Sequence, residues 1–126
     1  MRETVTKINS DILCQLITEG MQDKKGINIV VLDLRQIRQA ITDFFVICSG
    51  SSPNHIEAIA DAVEDKVYKT CGELPWQREG KEQKEWILLD YVDVVVHVFR
   101  KERRDFYAIE DLWGDAPQQQ IASDSD

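Results

Sequence analysis

Apolar residues recur along this chain in two rhythms, one helical and one extended, and their alternation predicts the order of its elements. Over residues 4–25, Val5, Ile8, Ile12 and Leu16, flanked by Leu13 and Ile17, fall at helical spacing and predict a first helix with one apolar face. Lys24 and Lys25 suit its last turn, and Gly26 is expected to supply a left-handed stop. Residues 27–32 form a short, nearly continuous β-branched run, the pattern of a strand covered on both faces. A polar connection over 33–39 leads to a second buried strand at 44–48, entered through Thr42 and Asp43.

The segment S-G-S-S-P-N from Ser49 to Asn54 has the chemistry of a strand-to-helix turn: Gly50 for unusual dihedrals, Ser as N-cap and Pro53 at the first helical position. Behind it Ile56, Ile59, Ala60, Val63, Val67 and Cys71 make one stripe of a second helix that ends at Gly72. Leu74-Pro75-Trp76 reads as a short edge strand, where proline is tolerated, and residues 78–85 as an exposed charged loop. Two apolar runs, 86–89 and 94–99, flank Asp90-Tyr91-Val92-Asp93 and give the strongest hairpin signal in the chain. Asp105 is expected to cap a short last helix over 105–113, with Phe106, Ile109 and Trp113 facing the core. The order α-β-β-α-β-β-β-α predicts an α/β (α+β) domain, a mixed sheet flanked by helices. Residues 1–115 are expected to be one domain and 116–126 a polar, disordered tail.

Composition narrows the classes of function. A length of 126 residues allows one core and leaves little room for a separate active-site domain. The net charge of -8 disfavours primary binding to a nucleic-acid backbone and suits a basic protein partner, although acidic charge also serves solubility alone. Three cysteines, Cys14, Cys48 and Cys71, lack C-x-x-C spacing, so neither a disulfide framework nor a zinc site is indicated, and a reducing cytoplasmic setting fits. No signal peptide or membrane-spanning stretch is visible.

The turn at Gly50 and Ser51 could cradle a phosphate, but no Walker lysine and no G-x-G-x-x-G accompany it, so helix capping is the preferred reading. Two-metal transfer chemistry needs carboxylates two apart on a strand; Asp90 and Asp93 are three apart across a turn, and Asp61 and Asp65 lie four apart on a helix. His55 and His97 are not spaced from a Ser or Cys in a nucleophilic pattern, and His97 among valines is expected to be a core or edge residue. In the hairpin, Trp86, Leu88 and Asp90 project from one face while Ile87 and Leu89 project from the other. If the latter pair fills the core, an aromatic, an aliphatic and a charge share the outer face, the composition of an interface hot spot. The alternative is that the first or the last helix covers this face.

The succession T-D-F-F-V-I-C-S-G-S-S-P-N-H-I-E-A-I-A-D, then R-E-G, W-I-L-L-D-Y-V-D-V-V-V-H-V-F and R-D-F-Y-A-I-E-D-L-W, resembles the ribosomal silencing factor family, also called Iojap or RsfS, from about Val5 to Asp115. One departure is Val92, where the family often has glycine in the turn. The resemblance implies a fold similar to the nucleotidyltransferase core without its catalytic acids, and a cytoplasmic translation repressor rather than an enzyme, with no cofactor and no metal. It implies binding to ribosomal protein L-fourteen of the large subunit, a block on small-subunit joining under nutrient limitation, and homodimers in several relatives. Motif and alternation together nominate Trp86, Leu88, Asp90 and Tyr91 as the partner-binding centre, with Asp93, His97 and Tyr107 as neighbours. The rival readings are a nucleotide-binding or nucleotidyl-transferring enzyme built on Gly50, Ser51 and the carboxylates, and a simple homodimerisation module.

Overall fold

The computed structural model describes residues 9–81, 85–102 and 116–121. The first helix, α1 (Ser10–Asp23), starts where the Asn9 side chain accepts the N–H of Ile12 at 2.9 Å, satisfying one of the donors that a helix start leaves open. It ends on Lys24, and the left-handed residue that follows is Lys25 (φ 59°) rather than the expected Gly26. Two strands, β1 (Ile27–Asp33) and β2 (Phe44–Gly50), lead into α2 (Pro53–Cys71), capped by Ser52 with proline in its first turn and stopped by Gly72 at φ 75°. Gly50 itself has no positive φ; its missing Cβ matters because one would lie 2.6 Å from Ile56 Cγ2.

The remaining strands are β3 (Gln77–Lys81), β4 (Trp86–Asp90), β5 (Val94–Arg100) and β6 (Gln118–Ile121). They join β1 and β2 in a six-stranded mixed sheet of order β3-β4-β5-β2-β1-β6, in which only β2 and β5 run parallel. One extra residue in β1 between Ile27 and Val30 makes a bulge, and Asn28 occupies it at φ 52°.

The two described helices pack on one face of this sheet. Leu13, Leu16, Ile17 and Met21 of α1 and Ile56, Ile59, Ala60, Val63 and Val67 of α2 bury the Val31, Val46, Ile87, Leu89, Val96 and Val98 side. The helices approach closely because α1 carries Gly20 at the crossing: a Cβ there would lie 2.8 Å from Val63 Cα. A second, smaller core lies on the opposite face, with Val30, Leu32, Leu34, Ile47, Phe99 and Ala116 buried and Phe45 and Trp86 partly buried at its border. The strand expected to be covered on both faces is β1, and its residues Ile29, Val30, Val31 and Leu32 are buried accordingly.

Two further expectations are corrected. The edge strand lies at Gln77–Lys81, overlapping the stretch 78–85 read as a loop, and not at 74–76; Trp76 only touches the sheet, its N–H donating to the Asp90 carbonyl at 2.7 Å. An edge strand is paired on one side only, and charged side chains there discourage pairing with another chain, so charged residues are compatible with it. Gln118–Ile121, read as part of a disordered tail, pairs with β1 from Ile29 to Leu32, because backbone pairing at an edge requires no apolar side chains. The expected last helix at 105–113 lies outside the described residues.

Candidate interaction surface

The period of two along β4 divides its side chains cleanly. Ile87 and Leu89 are buried against the helices, and Trp86, Leu88 and Asp90 are partly exposed on the opposite face. Antiparallel pairing sets Phe99 across from Trp86, His97 across from Leu88 and Val95 across from Asp90. The parallel partner β2 brings Phe45 alongside Val95.

Beside the outer residues, on the same face of the sheet, lies an aromatic cluster. The Trp86 ring stacks on Phe99 with centroids 5.1 Å apart, His97 lies parallel to Phe99 at 6.1 Å, and Phe45 meets the His97 ring edge-on at 4.6 Å. The indole Nε1–H of Trp86 donates to His97 Nδ1 at 3.1 Å. Since the indole nitrogen can only donate, Nδ1 must accept, and the imidazole proton therefore resides on Nε2. Burial pushes the His97 pKa down to about 3, so the ring is neutral at physiological pH. Its Nε2 is buried with no hydrogen-bond partner among the described residues.

The nominated residues are placed unevenly. Trp86, Leu88 and Asp90 do share one face. Asp90 Oδ1 also accepts the N–H of Val92 at 2.8 Å, so part of its carboxylate shapes the turn. Tyr91 is not at this surface: it is 5% exposed within the helix-side core, its hydroxyl has no partner among the described residues, and burial raises its pKa. The alternation that takes Ile87 and Leu89 inward also takes Tyr91 inward, a signal present in the sequence. His97 is 4% exposed, buried beside Leu88 on the same face. Asp93 is partly exposed, and its carbonyl accepts the N–H groups of Asp43 and Phe44 at 2.8 and 3.2 Å. Tyr107 lies outside the described residues. Phe45 and Phe99 were missed because their place beside the hairpin depends on which strands become neighbours.

The turn at Ser51 is spent on structure. The Ser51 N–H donates to His55 Nδ1 at 2.9 Å, the His55 N–H to Ser52 Oγ at 3.0 Å, and the Ile56 N–H to the Ser52 carbonyl at 3.0 Å. His55 Nε2 then donates to the Lys24 carbonyl at 2.7 Å, tying the start of α2 to the end of α1. Asp61 and Asp65 pair with Arg78 and Lys69. Among the described residues no cluster of three or more His, Cys, Asp or Glu is placed to hold a metal ion, and no helix is long and apolar enough to cross a membrane.

A sequence profile described as "Ribosomal silencing factor during starvation" matches residues 7–126. The chain belongs to the ribosomal silencing factor family. A protein of Halalkalibacterium halodurans named Ribosomal silencing factor RsfS is 45% identical over 105 residues, which cover 83% of this chain and 88% of that protein. The RsfS protein of Bacillus subtilis is 36% identical over 110 residues, 87% of this chain and 92% of its own length. In three dimensions the chain is similar to a crystal structure of a Chromobacterium violaceum protein, with a TM-score of 0.78 and 34% identity over 85% of this chain and 88% of that one. The mixed sheet carrying the Trp86 surface therefore belongs to a chain of the silencing factor family.

Proposed function

We propose that this protein binds the large ribosomal subunit through ribosomal protein L-fourteen and, by its bulk, blocks joining of the small subunit, repressing translation when nutrients are scarce. The observation that carries the reading is the Trp86, Leu88 and Asp90 face. It sets an aromatic, an aliphatic and a carboxylate side by side on a strand paired on both sides, with an aromatic cluster beside them that holds Trp86. Rigid aromatic anchors lose little conformational entropy on binding, and a carboxylate at their border selects a basic partner. A net charge of -8 steers the encounter with such a partner. Obstruction needs no catalysis and no cofactor, in keeping with a Ser51 and His55 pair engaged in holding two helices together. The setting for this action is the cytoplasm.

Co-sedimentation with purified large subunits tests the proposal. Trp86→Ala combined with Asp90→Ala, with folding checked by circular dichroism, is expected to abolish co-sedimentation and to restore subunit joining in a reconstituted assay. Undiminished binding of the folded double variant would exclude this surface.

A further inference from the structure

We infer that His97 is the positioning residue of this surface: its Nδ1 holds the Trp86 indole in the orientation that the partner meets. The inference rests on the proposed role of the Trp86 face and deepens it. A tryptophan at a binding surface contributes most when its ring is already fixed, since ordering it on contact subtracts from affinity. Stacking on Phe99 restrains the plane of the indole but does not choose between its two edges, since a half-turn about χ2 leaves a ring still stacked. The bond from Nε1–H to His97 Nδ1 removes this freedom, because it is directional and fixes which edge of the indole points inward.

His97 is itself prevented from yielding. Its ring lies at 5° to that of Phe99 and meets Phe45 at 71°, so it is held from two directions. It sits on β5 directly opposite Leu88, between the pairs that β4 and β5 form at Trp86 and Asp90. The imidazole also carries a cost that a plain aromatic ring would avoid, since its Nε2 hydrogen is buried with no acceptor among the described residues. Phenylalanine would occupy similar space without that orphaned donor. What the imidazole adds is the acceptor at Nδ1, and the group that uses it is the Trp86 indole.

The test combines a bond measurement with binding by two variants. In the intact protein labelled with nitrogen-15, a through-hydrogen-bond coupling between Trp86 Nε1 and His97 Nδ1 is expected, and its absence overturns the inference whether or not any variant folds. His97→Phe keeps the ring and removes the acceptor; it is expected to weaken co-sedimentation with large subunits about tenfold, the cost of ordering one side chain on contact. His97→Asn places an oxygen acceptor near the Nδ1 position and is expected to recover most of that loss. Wild-type binding by His97→Phe, or equal weakening by two folded variants, overturns the positioning role. Trp86→Ala separates the two proposals: if it binds like wild type, the surface reading fails, whereas if it loses binding while His97→Phe does not, the positioning role alone fails.

Discussion

The hydroxyl of Thr42 donates to the carbonyl of Val92 at 2.8 Å, across 50 positions of sequence, and so pins the tip of the β4–β5 hairpin to the entry of β2. Val92 needs pinning. It lies at φ 76°, the first position of a two-residue loop closed by the Tyr91 N–H on the Val94 carbonyl at 2.9 Å. That position favours glycine, and a β-branched side chain there is strained. Val92→Gly is therefore expected to raise stability by about 1 kcal/mol, the released strain exceeding the entropy that glycine adds to the unfolded chain. Urea denaturation measures it, and an unchanged or lower midpoint would contradict the strain argument. Thr42→Val is expected to lower stability by about 1 kcal/mol by leaving the Val92 carbonyl without this donor.

Gly20 gives a prediction of opposite sign from the usual helix rule. Alanine is a better helix former than glycine by about 1 kcal/mol. Here its methyl would lie 2.8 Å from Val63 Cα and 3.1 Å from Val63 N, and backbone atoms cannot move aside as a flexible side chain does. Forcing the two helices apart is expected to prevail, so Gly20→Ala should destabilise the fold by about 2 kcal/mol. Thermal melting of the two proteins decides the sign.

His97 makes stability depend on pH in a stated direction. Its folded pKa is depressed from 6.5 to about 3, so between those values the unfolded chain binds a proton that the folded chain does not. This contribution to stability is present in full above the unfolded value. It declines as the pH falls toward the folded value, by at most about 1.4 kcal/mol per pH unit. Replacing His97 by Phe removes the group that causes the decline. The stability difference between wild type and His97→Phe, followed by urea titration from about pH 7 to about pH 5, should therefore shift in favour of the variant. A difference that stays constant over that range refutes the assignment.

Arg78 ties the edge strand to the helix layer. Its guanidinium bridges Asp61 at 3.0 Å and Glu64 at 2.8 Å on α2, from a strand whose other anchor is its pairing with β4. Burial works against the charge, and the hydrogen bonds to Glu64 and Asp61 outweigh it, holding the guanidinium above its usual pKa. Arg78→Ala is expected to cost only about 1 kcal/mol overall, since the group is partly solvated. Its clearer effect should be local: faster hydrogen exchange at the β3 amides than elsewhere in the sheet, an effect that added salt reproduces in part in the wild type.

The hairpin shows how far the pattern of residues carries. Alternation alone separated Ile87 and Leu89 from Trp86, Leu88 and Asp90, because a strand allows only two directions for a side chain. Carried one step further, the same rule places Tyr91 in the helix-side core, where it is found. The rule loses force at the edges of the sheet. Gln77–Lys81 and Gln118–Ile121 are strands held by backbone bonds to one neighbour, and their polar side chains announce nothing of this.

By itself, then, the sequence determined both described helices with the Ser52 cap and the Gly72 stop, the buried strands β1 and β2, the hairpin, and the outer face of β4. These are short-range matters of period, capping and turn chemistry, and they are written in neighbouring residues. Only the tertiary structure decided that β5 lies beside β2, which gathers Phe45, His97, Phe99 and Trp86 into one cluster. It also decided that His97 is buried next to the Trp86 indole and hydrogen-bonded to it. Strand neighbours are chosen by the packing of the whole sheet against two helices, and no local pattern encodes that choice.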